Sequence, residues 1–187
     1  MSAATVAAAV LDAASEADAR AMLTRCCGSS AWVRGMLERR PFGDDEALVR
    51  AAREVWSAAT RDDVLEALTH HPRIGASMDE LRKRYATTAT WSAGEQAGAT
   101  AADEATLTAL RDGNVAYEAR YGHIFVVCAT GKSAAQMLAL LQARMHHEPA
   151  EELAIAAAEQ GKITEIRLAK LGIPASGTPA SGEGEKA

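Results

Sequence analysis

Asp44-Asp45-Glu46-Ala47-Leu48-Val49-Arg50-Ala51-Ala52-Arg53-Glu54-Val55-Trp56-Ser57-Ala58-Ala59 carries the clearest periodicity in the chain. Leu48, Ala51, Ala52, Val55, Trp56 and Ala59 fall at i, i+3, i+4, i+7, i+8 and i+11, one face of a 3.6-residue repeat, with an aspartate at 44 or 45 standing where a helix needs its N-cap. The spacing predicts a core helix. The composition extends that prediction to the whole chain: hydrophobic residues are 48% of 187, aromatics only 4%, and the prolines number five. Such alanine-rich, proline-poor segments favour helix. The expected fold is all-α: a single-domain bundle of about eight helices over residues 1–172, with one short extended segment lining a pocket. Residues 173–187 lack apolar periodicity and read as a disordered tail.

Downstream of the opening helix, Thr60-Arg61-Asp62-Asp63 places acids in a first helical turn, where the macrodipole favours them, and Val64, Leu65 and Leu68 lead to His70 and His71. Pro72 pushes the residue before it out of helical geometry, so His71 is expected where that helix stops. Upstream, residues 3–14 read as helix, Ser15-Glu16-Ala17-Asp18 as the start of a second, and Ser30 to Arg40 as a third, with Trp32, Val33, Met36 and Leu37 on one apolar face. Ser77 to Thr90 reads as a polar loop over a site, with a turn of helix around Glu80-Leu81-Arg82. Two helices are expected next, Ser92 to about Ala101 and Asp103 to about Tyr121. Ile124-Phe125-Val126-Val127-Cys128-Ala129 is the β-rich run; it is too short and solitary to found a sheet, and its backbone groups need partners from elsewhere. A helix after Ser133 and a last one opened by Pro149 complete the chain.

Charge and cysteines narrow the function classes. A net charge of −5 with twenty scattered basic residues offers no nucleic-acid surface. Three cysteines, Cys26, Cys27 and Cys128, do not make a secreted disulfide framework, so a cytoplasmic protein is expected. No apolar run has membrane-spanning length, and the N-terminal residues do not resemble a signal peptide.

Chemistry concentrates at Thr69-His70-His71-Pro72-Arg73-Ile74-Gly75 and Trp91-Ser92-Ala93-Gly94-Glu95-Gln96. A histidine held beside a proline suits general acid/base work near neutral pH, and equally suits capping a helix C-terminus. Ser92-Ala93-Gly94-Glu95 matches a capping box, which leaves the first-turn amides and Gln96 clustered at a positive helix end, a setting for an anionic or ureide-like ligand. His70, His71, His123, His146 and His147 lack the spacing of a metal-ligand set, so no metal is expected. Thr130-Gly131-Lys132-Ser133 lacks the first glycine of a phosphate loop, that position being Val126, and Ser133 reads as an N-cap.

Taken together, Ser30-Ala31-Trp32-Val33, Arg40-Pro41-Phe42, His71-Pro72-Arg73-Ile74-Gly75, Ser92-x-x-Glu95-Gln96-Ala97-Gly98, Asn114-x-x-Tyr117, Arg120-Tyr121-Gly122-His123-Ile124-Phe125-Val126 and Lys162-Ile163-x-x-Ile166-Arg167-Leu168 resemble the 2-oxo-4-hydroxy-4-carboxy-5-ureidoimidazoline (OHCU) decarboxylase family of purine catabolism. The resemblance spans about residues 17–171. It implies an all-helical, cofactor-independent enzyme, homodimeric, that converts OHCU to (S)-allantoin. It further implies His71 as the catalytic acid/base and Glu95 as its acidic partner. Substrate groups would be held by Ser92, Gln96 and Arg167, with Pro72 and the backbone of Phe125, Val126 and Val127 lining the pocket. The chain departs from many members at His123-Ile124, where they carry Phe-Pro. The alternative from another class is a non-catalytic helical module binding a purine-derived ligand.

Overall fold

The computed structural model describes residues 7–73, 77–85 and 96–172; Ser92, Glu95 and the expected tail lie outside the described residues. Within them are nine helices and no strand: α1 Ala7–Ala13, α2 Glu16–Cys26, α3 Ser30–Glu38, α4 Asp45–Ser57, α5 Arg61–Thr69, α6 Met78–Tyr85, α7 Gln96–Tyr121, α8 Ala134–Arg144 and α9 Pro149–Lys170. The helix starts are fixed by local chemistry. Ser15, Ser29 and Asp44 accept the Asp18, Trp32 and Ala47 amides at 3.1, 3.2 and 2.7 Å, while Thr60 with Asp63 and Ser133 with Gln136 form full capping boxes. Each satisfies backbone donors that a helix start leaves bare.

The helices associate through α9, the spine of the molecule, against which α1, α2, α4 and α5 pack. Two indole N–H groups lock the arrangement: Trp32 Nε1 donates to Ala52 O at 3.2 Å, and Trp56 Nε1 donates to Ala157 O at 2.9 Å. The predicted face of α4 is thereby split, with Leu48, Ala51 and Ala52 buried and Val55 and Trp56 half-buried against the same core. A second core forms where α6 and α8 pack on α7, around Leu81, Leu110, Tyr117, Phe125, Met137 and Leu141. Gly113 permits that approach, since a Cβ there would lie 2.6 Å from Leu141 Cδ2. A third, smaller core joins Val64 and Leu68 of α5, Val126, and Ala156 of α9. This seam brings the end of α5 beside the extended segment.

Two expectations are corrected. The helices expected over Ser92–Ala101 and Asp103–Tyr121 are one continuous helix from Gln96, because no proline intervenes and the alanines at 97, 99, 101, 102, 105 and 109 sustain helical propensity across the proposed break. The turn of helix expected around Glu80-Leu81-Arg82 is longer than expected: α6 runs Met78–Tyr85 with the Ser77 hydroxyl accepting the Glu80 amide at 3.2 Å, and one buried leucine, Leu81, docks it on the second core. The merger removes one helix and α6 adds one, which leaves nine among the described residues.

Residues 124–129 are neither helix nor strand, and side chains supply the partners that regular structure would have supplied. Arg144 Nη1 donates to Val126 O at 2.7 Å, the Cys128 amide donates to Glu159 Oε2 at 2.7 Å, and Lys132 Nζ donates to Cys128 O at 2.7 Å. None of the described helices is long and apolar enough to cross a membrane.

Candidate active site

His71 follows directly on the end of α5. His70 is the C-cap, and the His71 amide still donates to Leu68 O at 3.2 Å before Pro72 turns the chain away. The two neighbouring rings then diverge. His70 is exposed and lies over Gly28, where a Cβ would come within 2.3 Å of its ring. His71 is half-buried and faces a cleft of about 330 Å³ lined by Pro72, the 125–130 segment, Ile163, Ile166, Arg167 and Lys170. It also borders a second cleft of about 320 Å³, on the side of Arg73, Glu118 and His123.

His71 Nε2 is hydrogen-bonded to Gln160 Oε1, a fully buried side chain of α9. Gln160 Nε2 donates in turn to Thr164 Oγ1 at 3.0 Å. Burial holds the His71 pKa below the usual imidazole value; the Gln160 contact opposes that shift, and the Arg167 and His70 charges reinforce it. The ring is therefore a neutral base at neutral pH. Arg167, one turn beyond Ile163 on α9, donates through Nη1 to Arg25 O and Cys26 O, both at 3.3 Å, so the carbonyl end of α2 anchors it at the cleft wall. Arg167 and Lys170 are the two charged cleft-lining residues among those described, which favours an anionic occupant.

The extended wall rests on a buried polar cluster. Glu152 Oε1 receives Arg144 Nε at 2.7 Å and the Tyr117 hydroxyl, while Glu152 Oε2 meets His147 Nδ1 at 2.9 Å. Arg144 is almost fully buried and its guanidinium lies 4.7 Å from the Phe125 ring centroid, besides gripping the Val126 carbonyl. Burial pushes the Glu152 carboxyl upward, but the Arg144, Tyr117 and His147 hydrogen bonds together hold it below the usual range. Burial likewise raises the Tyr117 hydroxyl, as does its bond to Glu152.

Of the residues singled out in the sequence, His71, Pro72, Phe125, Val126, Val127 and Arg167 come together on one cleft. Phe125 is buried in the second core and Val126 in the third, so the wall they present is largely backbone. Gln96 opens α7, and Ser92 and Glu95 lie outside the described residues. Among the described residues no group of three His, Cys, Asp or Glu side chains is placed to hold a metal ion. The sequence reading missed Arg144, Glu152, Gln160 and Thr164. A signal existed for three of them: Glu152, Ala156, Gln160, Thr164 and Leu168 form one buried i+4 row on α9, and polar residues on a buried row must have partners.

The sequence profile of the OHCU decarboxylase family matches residues 12–169. The uric acid degradation bifunctional protein TTL of Arabidopsis thaliana is 40% identical over 149 residues, covering 78% of this chain and 45% of that protein. The chain thus spans less than half the length of this curated relative. A crystal structure of OHCU decarboxylase in the presence of (S)-allantoin superposes with a TM-score of 0.64 at 36% identity, covering 79% of this chain and 94% of that one. The crystal structure of an (S)-allantoin synthase shares the fold with the same TM-score of 0.64 at 18% identity, over 89% of this chain and 54% of that one.

Proposed function

The chain belongs to the OHCU decarboxylase family, and from that premise we propose that it decarboxylates OHCU to (S)-allantoin without a cofactor, with His71 as the acid/base. The observation that carries this reading is the shared cleft: a neutral imidazole, a guanidinium and an extended backbone wall around a volume suited to one small ring compound. Arg167 pairs with the substrate carboxylate or a ureide oxygen, and Lys170 adds positive charge at the same wall. Loss of carbon dioxide breaks the bond between the carboxylate and the hydroxyl-bearing ring carbon. Its electron pair forms a new C=C bond while the adjacent ring C=N accepts electrons at nitrogen, which is protonated. The resulting enol gives its hydroxyl proton to a base, and a proton delivered to one face of the neighbouring carbon yields the ketone with a single configuration. A neutral His71 accepts the first proton and returns one as imidazolium, with Glu95 as its acidic partner and Ser92 and Gln96 holding the ureide.

The same reading includes a homodimer in the cytoplasm and a catalytic domain over residues 1–172. Buried, unpaired Cys26 and Cys27, whose thiols burial pushes up to about 11, suit a reducing compartment. The decisive experiment incubates the purified protein with freshly generated OHCU and follows (S)-allantoin by circular dichroism. Catalysed, single-handed product is expected. Decay at the uncatalysed rate, or racemic allantoin, would refute the reading.

A further inference from the structure

We propose that Gln160 is the positioning residue that decides which nitrogen of His71 carries the proton, leaving Nδ1 as the basic atom offered to the cleft, and that Thr164 fixes Gln160 in that sense. The mechanistic consequence rests on the proposed decarboxylation; the assignment of the proton does not. It follows from counting donors along one buried chain. The Thr164 hydroxyl donates its single proton to Gln160 O at 3.0 Å, one helical turn back, so its lone pairs are what remain for other partners. Gln160 must then turn its NH₂ toward Thr164, as the 3.0 Å contact shows, and its Oε1 toward His71. An amide oxygen only accepts, so Nε2 is the protonated nitrogen of the neutral ring. Among the described residues Nδ1 has no partner.

The choice of an amide over a carboxylate has a chemical point. A carboxylate behind a histidine orients it and also charges it, because a nearby anion favours imidazolium. Gln160 orients the ring without that charge. The other groups facing the imidazole push the same way or are neutralised. Arg167 and Lys170 of α9 are cationic, Arg73 is paired bidentately with Glu118 of α7 at 2.5 and 2.9 Å, and His70, His123 and Cys128 complete the surroundings. The ring stays an unprotonated base at rest and, once protonated, an acid ready to return its proton.

The test uses wild type, Gln160→Glu, Gln160→Leu and Thr164→Val, each checked for folding by far-UV circular dichroism. Nitrogen NMR of histidine-labelled protein reports the tautomer and pKa of His71 without any turnover, and pH profiles of kcat and KM on OHCU report the chemistry. Wild type is expected as the Nε2–H tautomer. Gln160→Glu is expected to move the His71 pKa, and the acid limb of kcat with it, about one to three units upward with little change in KM. Gln160→Leu is expected to lower kcat by about 10²-fold, and Thr164→Val to give mixed tautomers and a smaller loss. A neutral wild-type ring protonated on Nδ1, or a folded Gln160→Glu protein whose His71 pKa and kcat profile do not move, overturns the proposal. If Gln160→Glu does not fold, the wild-type and Thr164→Val spectra decide. A wild-type Nε2–H ring in a protein that leaves OHCU untouched upholds the proton assignment and refutes the decarboxylation.

Discussion

At the scale of the residue, adjacent histidines differ because one is followed by proline and the other by a residue that lets it cap a helix. His70 terminates α5 and lies over Gly28, while His71 turns into the cleft. Replacing His71 with alanine is expected to lower turnover of OHCU by about 10²- to 10⁴-fold, the range for a positioned acid/base, whereas His70→Ala retains most activity. Equal losses in two folded variants would sink the distinction. Glu95 separates capping from chemistry in a similar way. The pattern Ser92-x-x-Glu95 is that of a capping box, in which glutamine would still accept the Ser92 amide, so Glu95→Gln is expected to cost at most about 1 kcal/mol of stability. It cannot carry the charge that would assist a protonated His71, and a hundredfold loss of kcat, as an order of magnitude, is expected from about the same melting temperature. Near-normal turnover would make Glu95 a cap alone.

At the scale of the element, the cleft wall is a segment without regular structure, held by side chains from three helices. Tyr117 of α7, Arg144 of α8 and Glu152 of α9 form a buried cluster whose outward bond is to the Val126 carbonyl. Arg144→Met fills much of the same space but strands a fully buried carboxylate, which costs about 3–5 kcal/mol, and it frees the wall. Urea unfolding should register that loss, while Arg144→Met combined with Glu152→Leu should recover a large part of it, since neighbours in one network are coupled. A double variant as unstable as the sum of the two singles would mean the cluster is not one unit.

At the scale of the whole molecule, the pKa shifts predict how stability follows pH. His71 and Glu152 both have folded values below their ordinary values of 6.5 and 4.5, so the unfolded chain takes up protons first as pH falls. Their stabilisation is complete above those ordinary values and is lost on acidification, first below about pH 6.5 and more steeply below about 4.5. Cys26 and Cys27 act at the other end. Raised from 9.0 to about 11, they stay protonated in the folded protein while the unfolded chain ionises, so stability falls between pH 9 and 11. Calorimetry across pH should therefore give a plateau flanked by two declines; a melting temperature that rises from pH 6.5 to 4.5 would contradict these signs.

The sequence by itself determined what is local. The 3.6-residue period of α4, the capping residues Ser15, Thr60 and Ser133, Pro149 at the start of α9 and the pre-proline position of His71 act within a few residues, so composition and spacing expose them. It also placed His71, Pro72, Arg167 and the 125–127 run in one site, through the resemblance of their motifs rather than through spacing. The tertiary structure decided what depends on contacts between distant segments. The single buried leucine that docks α6 is invisible to periodicity, and the unbroken α7 depends on summed propensity that a local polar stretch disguises. Arg144 and Glu159, which hold the 124–129 segment, and Gln160 behind His71 are 18 to 89 residues away from what they hold. Burial makes those polar contacts obligatory, and burial exists only once the helices have packed.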